Sequence, residues 1–461
     1  HPSAPLFLSA LKEMLHHVWG LRRAKAESPA FQPRWDLCRA LGLDPRRANI
    51  EAEGVDVAGL IALIEGVKRA AAGRKVLLHY LEVFSRPSET FIPDLVNRWN
   101  DDDDRAHLVL CDKRSLPADR PFDLVVTLDP ARTPPQLYRA LVEDLIDGVD
   151  FEGFVFHFAI NGWRLLSRLG EARQQAPALY MCHGVDVFDL VKDTDYSRYL
   201  LGVAARSPAS RFTAVSRYLR DALVEAGAPF HKVSLVHNVV HDRFFQNRMP
   251  GRDKAGARRG GAPVRVVSIG RLVRWKGQEH LLRAMALLKR RGVETHVTFV
   301  FGQEDRDLEH LRAVAAREGV SGSVTFRPFV NFDEEPGFLN DFDLLVSAST
   351  YTQGESARSE TFGMSILEGI AAGLPVVVTD AGGQPEVAGD ENDHVRVARH
   401  ADPESLAQAI QALIDGGGLN GDNLAVARAR LEHFSAERQI ALLEEALADA
   451  RTSPGRPLLL S

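Results

Sequence analysis

Cysteine is scarce in this 461-residue chain: Cys38, Cys111 and Cys182 are three widely spaced residues with no Cys-x-x-Cys pair. That odd, scattered set excludes a disulfide framework and a structural zinc site and fits a reducing compartment. Long apolar runs are missing too. None approaches the ~18 residues that a bilayer-spanning helix needs, so no segment reads as membrane-spanning. Nor is positive charge in excess: 56 Lys+Arg against 62 Asp+Glu leave a formal net charge of −6. A global basic field of the kind that draws a protein to nucleic acid is therefore absent. What the chain has is ordinary globular material, 45% hydrophobic and 26% charged, which rules out disorder, collagen and coiled coil. At ~150 residues per domain the length suggests about three domains, or two large ones with an extra segment. The first residue, His1, reads as a trimmed start.

From about residue 74, short β-branched runs alternate with longer amphipathic stretches, the signature of βα units in a parallel sheet. The first series is KVLLHYLEVF (75–84), HLVLCD (107–112), FDLVVTL (122–128), FVFHFAI (154–160), ALYMCHG (178–184), FTAVS (212–216) and VSLVHN (233–238). A polar, Gly- and Arg-rich stretch, Asn247 to Gly261, interrupts it and reads as a linker. The second series is VRVVSIG (264–270), HVTFVFG (296–302), VTFRPFV (324–330), DLLVSAS (343–349) and LPVVVTD (374–380). The expected architecture is α/β: doubly wound, Rossmann-like parallel-sheet domains at 74–250 and 262–435. Their ligand cleft is expected at the carboxyl ends of the strands. A helix at 436–450 either caps the second domain or returns to the first. Residues 1–73 form a helical extension outside this rhythm. There Leu8, Leu11, Leu15, Val18 and Trp19 sit at helical spacing ahead of Arg22, Arg23 and Lys25. Two readings stand: a helix packed on the first domain, or peripheral membrane contact through residues 1–25.

Two short patterns carry little weight. Gly416, Gly418 and Gly421 match GxGxxG, but a dinucleotide fingerprint follows a strand and opens a helix. Here the glycines follow a helix that Asp402 caps and Pro403 starts, with Gly416 as its stop. Asp-x-Asp, through which many glycosyl-transferring enzymes hold a metal, recurs at Asp101 to Asp104, Asp193/Asp195, Asp305/Asp307 and Asp341/Asp343. Polar surface turns explain so many hits.

The informative passage is SETFGMSILEGIAAGLP, Ser359 to Pro375, between two apolar strands. A helix opening at about Gly363 leaves the amides of Gly363, Met364 and Ser365 without helical partners, which makes a site for an anion such as a diphosphate. Glu360 then lies at the mouth. Glu368, more than a turn inside, can accept hydrogen bonds from a hydroxyl-rich ligand. The plainer alternative is a cap and a surface residue. After VRVVSIG the chain continues Arg271-Leu-Val-Arg-Trp-Lys276-Gly277, two cations at a strand's carboxyl end. Such charges can neutralise a departing diphosphate.

SIGRLVRWKG, the Glu-x7-Glu passage, LPVVVTDAGGQPEV and HGVD (183–186) together resemble the family 4 retaining glycosyltransferases of GT-B fold. The match covers roughly 75–450 and is most specific over 264–390. The resemblance implies two Rossmann-like domains facing across a cleft, a nucleotide sugar on the C-terminal domain, a saccharide or lipid-linked acceptor on the N-terminal one, and no required metal or cofactor. It implies that Arg271 and Lys276 bind the diphosphate and Glu368 the ribose. Glu360 would hold the donor sugar, the amides of Gly363 to Ser365 sugar and phosphate, and Phe329 and Val330 the base. It makes His183 the active-site histidine. Asp186 belongs to the cleft or to a cap, and His157 to the cleft or to the core. A cytoplasmic enzyme is implied.

Two departures stand out. The family's Gly-Gly loop after the first strand is replaced by FSRPSETFIPDL (84–95), wording similar to an exopolysaccharide and lipopolysaccharide subset, in which Ser88, Glu89 and Thr90 at a helix start face acceptor or donor. Val239, in VHNVVHDRF, stands where the family commonly has Gly. The expected activity is transfer of a sugar from a nucleoside diphosphate to a hydroxyl with retention. The rivals are a nucleotide-sugar hydrolase or epimerase and a non-catalytic nucleotide-sugar-binding scaffold.

Overall fold

In a computed structural model, the described residues are 57–86, 89–100, 105–115, 124–192, 194–241, 244, 262–302, 306–329, 335, 337–352, 358–419 and 424–452. The proposed linker at 247–261, the segment at 1–25, Ser88 and Val330 lie outside them.

Thirteen strands appear among these residues: β1 (Lys75–Phe84), β2 (Arg105–Arg114), β3 (Val125–Thr127), β4 (Asp150–His157), β5 (Ala178–Cys182), β6 (Ser210–Ala214), β7 (Val233–Leu235), β8 (Val264–Ile269), β9 (Thr295–Phe301), β10 (Val324–Pro328), β11 (Leu344–Ser347), β12 (Val376–Thr379) and β13 (Val395–Ala398). Between and around them run α1 (Val57–Ala71), α2 (Phe91–Trp99), α3 (Pro135–Asp147), α4 (Ile160–Leu166), α5 (Val185–Phe188), α6 (Asp195–Tyr199), α7 (Arg217–Glu225), α8 (Gln278–Arg290), α9 (Leu308–Arg317), α10 (Met364–Ala371), α11 (Gln384–Ala388), α12 (Pro403–Asp415), α13 (Leu424–Glu432) and α14 (Ala436–Thr452). The chain divides into two compact units, residues 1–179 with 454–461, and residues 180–453, with the division inside β5.

The strands form two sheets, ordered β3-β2-β1-β4-β5-β6-β7 and β10-β9-β8-β11-β12-β13. Each begins with the doubly wound order, in which the first strand of the series lies centrally and the winding reverses beside it. In the second sheet that reversal falls between β8 and β11, which pair in parallel at Val266↔Leu344 and Val267↔Leu345. In the first it falls between β1 and β4, also parallel. Strands so placed are covered on both faces, which is why β1 reads as a near-continuous apolar run. Val76, Leu77, Leu78, Tyr80 and Leu81 are all buried. β13 escaped the pattern because it is four residues long and carries Arg396 half-buried in its middle.

Helix ends follow their local chemistry. The Asp402 side chain accepts from the Ser405 amide at the start of α12, and that helix stops at Gly416, so the GxGxxG match belongs to a helix end. In α1, Ile64, Val67 and Ala71 are buried, and Lys68 pairs with Asp144 of α3 at 2.6 Å. The C-terminal α14 packs against β6, where Arg211 donates to the Asp449 carbonyl at 2.9 Å.

Candidate active site

In a doubly wound sheet, the loops leaving the two strands beside the reversal splay apart and leave a crevice at the strands' carboxyl ends. In the second sheet those are the loops after β8 and β11. They carry Arg271 and Lys276 on one side, and Ser359 to Gly363 with α10 on the other.

After β8 the chain turns at Gly270 and makes a short 3-10 turn, Arg274–Lys276. Gly277, with φ of 69°, then opens α8. A Cβ on Gly277 would stand 1.8 Å from the Ala348 carbonyl oxygen, so only glycine fits there. Gly277→Ala is accordingly expected to cost about 3 kcal/mol or more, from backbone strain together with that clash. Chemical denaturation checks it, and an unchanged midpoint would contradict this account of the loop. Trp275 anchors the turn: its carbonyl accepts from the Thr350 amide at 2.7 Å. Lys276 Nζ lies 4.9 Å, and the Arg271 guanidinium 5.6 Å, from the Trp275 ring centroid. Both cations thus lie against the indole.

Lys276 also forms an ion pair with Glu360, each side chain being 15% exposed. Sequence spacing alone treated these two as separate contacts. In the fold the two side chains form one ion pair, which holds the Lys276 ammonium in place at the carboxyl end of the sheet. Glu360 is itself fixed by its backbone, its carbonyl accepting from the Gly383 amide at 2.7 Å. A Cβ on Gly382 would sit 2.1 Å from that carbonyl, which explains the glycine pair in DAGGQPEV.

α10 starts where expected, with Gly363 as its N-cap at φ 107°. Met364 and Ser365 fill its first turn, and Glu368 is its fifth residue, half-buried. The opening amides of such a helix lack preceding helical carbonyls and point out of its N-terminus. Phe329 continues off β10, two strands from β8, its amide donating to the Phe301 carbonyl at 2.6 Å.

His183 follows β5 in the same compact unit and is buried, 8% exposed. Asp186 does not cap the following helix by the usual route. Its Oδ1 accepts from the amides of His183 (3.2 Å) and Gly184 (2.7 Å), holding the turn in which Gly184 has φ of 149°. The Thr361 hydroxyl donates to the His183 carbonyl at 2.9 Å, and Arg358 pairs with Asp189. The sequence reading missed Thr361, Ser216, Arg358 and Asp189. Thr361 sits inside the flagged passage, but its partner is 178 positions away and leaves no spacing signal.

The remaining candidates lie in the other unit. Thr90 is the N-cap of α2 without a side-chain cap bond, and Glu89 pairs with Arg86 at 3.5 Å, with burial raising its carboxyl. Beside them Ser85 has φ of 65°, and Phe158, at the end of β4, has φ of 61°. Such strain gathers at functional sites. His157 is fully buried in a row of three imidazoles. His79 Nδ1 is 3.0 Å from His157 Nε2, and His79 Nε2 is 2.8 Å from His107 Nδ1. The core alternative for His157 is thus where its ring lies. Burial, reinforced by the other two rings, holds His79 well below its ordinary value, and burial lowers His157 to about 3. His107 falls to about 3, from burial and then from the charges of Arg105 and Arg74.

Among the described residues, no group of three or more His, Cys, Asp or Glu is placed to hold a metal ion. No helix among them is long and apolar enough to cross a membrane.

Comparison with known proteins meets this geometry. Residues 253–428 match the family model for glycosyl transferases group 1, and residues 88–244 match that for Glycosyltransferase Family 4. A D-inositol 3-phosphate glycosyltransferase of Arthrobacter sp. is 28% identical over 246 residues, 52% of this chain and 54% of the relative. A GDP-mannose-dependent alpha-(1-6)-phosphatidylinositol monomannoside mannosyltransferase of Mycolicibacterium smegmatis is 35% identical over 208 residues, 44% of this chain and 52% of the relative. The chain thus spans about half the length of the curated relatives it matches. In fold it is similar to Anabaena HepE, solved in complex with UDP-glucose, with a TM-score of 0.63 at 19% identity over 81% of this chain and 99% of that one. With two Rossmann-like parallel sheets in GT-B order and both family models matched in sequence, this chain belongs to the family 4, group 1 glycosyltransferases.

Proposed function

We propose that the protein transfers a sugar from a nucleoside diphosphate to a hydroxyl of a saccharide or lipid-linked saccharide, with retention at the anomeric carbon. The observation that carries this reading is the pairing of Lys276 with Glu360, beside Arg271 and the N-terminus of α10, at the reversal point of the second sheet. In the reaction the bond from the anomeric carbon to the diphosphate breaks with its electron pair staying on the diphosphate, the acceptor oxygen bonds to that carbon, and the acceptor's proton passes to a departing phosphate oxygen. The demanding event is the departure of the diphosphate, which gains a negative charge as it leaves an oxocarbenium-like centre. Fixed positive charge aimed at the leaving phosphate is therefore worth most in the transition state.

In this reading Arg271, Lys276 and the amides of Gly363 to Ser365 hold the diphosphate. Glu368 takes the ribose hydroxyls, Glu360 the transferred sugar, and Phe329 with Val330 the base. His183 faces the reacting sugar. Residues 262–435 form the donor domain and 74–250 the acceptor domain, with Ser88, Glu89 and Thr90 on the acceptor's side. Protein charges do the work that a divalent metal does elsewhere, so EDTA leaves the rate unchanged.

A thermal-shift panel of UDP-, GDP- and dTDP-sugars tests the donor class. One nucleotide sugar is expected to raise the melting temperature, since a ligand at 100 Kd adds about 2.7 kcal/mol. With that donor, the anomeric proton coupling of the product reads the stereochemistry, and inversion would sink the retaining mechanism. Stoichiometric breakdown of the donor without acceptor would favour the hydrolase. Binding without turnover on any acceptor would favour the scaffold.

A further inference from the structure

We infer that Thr361 is a positioning residue, locking the backbone of His183 to the Glu360 end of the donor site. The inference rests on the reading of His183 and Glu360 just given.

Every polar group of Thr361 for which a contact is described points to a different element. Its hydroxyl donates to the His183 carbonyl at 2.9 Å. Its own carbonyl accepts from Ser216 Oγ at 2.5 Å, and the same Ser216 oxygen accepts from the Leu219 amide at 3.1 Å, so it also caps α7. One residue earlier, the Glu360 carbonyl takes the Gly383 amide. The Thr361 methyl closes the contact: a Cβ on Gly184 would stand 2.9 Å from Thr361 Cγ2, and one on Gly383 would stand 2.3 Å from the Thr361 carbonyl oxygen. The Glu360–Thr361 segment is thus gripped from β5's turn through the Thr361 side chain, from the N-terminus of α7 through the Thr361 carbonyl, and from the turn before α11 through the Glu360 carbonyl.

This grip fixes what chemistry requires to be fixed. Glu360 is tied through Lys276 to the cations after β8, and Thr361 ties the next position to the histidine turn. A displacement of about 1 Å between groups that act on one bond costs rate out of proportion to the binding lost. A hydroxyl on a β-branched side chain suits the task, because the branched Cβ restricts χ1 and leaves few ways to relax the contact.

The test uses the full-length chain and the donor that the panel of UDP-, GDP- and dTDP-sugars selects. Thr361→Val keeps the branched shape and removes the donor group; Thr361→Ser keeps the hydroxyl and removes the methyl. The expected result is a roughly tenfold fall in kcat for Thr361→Val at saturating donor. KM for the donor and Kd for the free nucleotide stay within about twofold, and Thr361→Ser recovers most of the lost rate. In a double-mutant cycle, His183→Ala with Thr361→Val is expected to be no slower than His183→Ala alone, since the two act as a unit. Wild-type kcat in Thr361→Val overturns the inference. So does a loss confined to donor KM, or a Thr361→Ser variant as slow as the valine. If His183→Ala itself turns over like wild type, the reading of His183 has failed instead, and the two failures are told apart by that arm.

Discussion

Lys276→Ala and Glu368→Ala are each expected to lower turnover by about 10²–10³ while leaving the fold in place, by analogy with removal of one oxyanion-hole donor. The two losses have different physical origins and should look different. In the proposed reaction Lys276 serves the leaving group, whose charge grows as the bond breaks, so its removal should be felt mainly in kcat. It also strips Glu360 of its cation. A carboxylate only 15% exposed then repels the incoming diphosphate, which adds to the loss. Lys276→Ala combined with Glu360→Gln should therefore bind nucleotide better than Lys276→Ala alone, even though it does not regain turnover. Glu368, in the same proposal, takes hydroxyls that do not react. Its removal should raise KM for the donor, and should lower kcat only as far as that anchoring energy is used to orient the sugar. Steady-state kinetics with circular dichroism decide. Full activity in both single variants would overturn the assignment of the site.

The second large effect is on stability. Three imidazoles lie in a row across β2, β1 and β4, all of them buried. A neutral imidazole has one N–H and one lone pair, so the middle ring, His79, donates to one neighbour and accepts from the other. A proton added to the row puts an uncompensated charge in the sheet's interior, beside the Trp99 ring 4.8 Å from His107. The folded values lie below the unfolded one, about 3 for His107 and His157 against 6.5. The unfolded chain therefore binds more protons between those limits. The stability is fully present above pH 6.5 and drains away as pH falls below it. At about 1.4 kcal/mol per pH unit for each group, moving from pH 7 to pH 5 costs roughly 2 kcal/mol per histidine. His107 and His157 together then cost roughly 4 kcal/mol, with His79 adding in the same direction. That is a large share of a typical 5–15 kcal/mol. Hydrogen exchange across β1 in the full-length chain at pH 7 and pH 5, corrected for intrinsic rates, reads it locally. Protection should fall steeply, and His107→Asn should remove about 2 kcal/mol of the change. Equal protection at the two pH values would contradict the buried, neutral row.

These histidines show where sequence reading stops. The sequence marks His157 as a cleft or core residue, yet its partners His79 and His107 come from neighbouring parallel strands far away in sequence, so nothing local marks the row. The strands were legible because burial on both faces writes a near-continuous apolar run, as in KVLLHYLEVF and LPVVVTD. The helix at Gly363 was legible because a glycine in the left-handed region followed by an apolar helix former is a local signal. Pairings across the fold were not. Lys276 with Glu360, Thr361 with His183, and Asp186 turning back onto two amides rather than capping α5 depend on which loops the sheet order brings side by side. The order itself, with β8 beside β11, is what converts two separate motifs into one site.

The claim on which the rest depends is that Arg271, Lys276 and the start of α10 bind a diphosphate. Calorimetric titration of UDP and GDP, each set against its monophosphate, into the wild type and an Arg271→Ala/Lys276→Ala variant measures that directly. The account predicts that the wild type binds one diphosphate at least tenfold more tightly than its monophosphate, and that the double variant loses this preference with about a 100-fold weaker Kd, some 2.7 kcal/mol. Equal affinity of the two proteins for the diphosphate would contradict it.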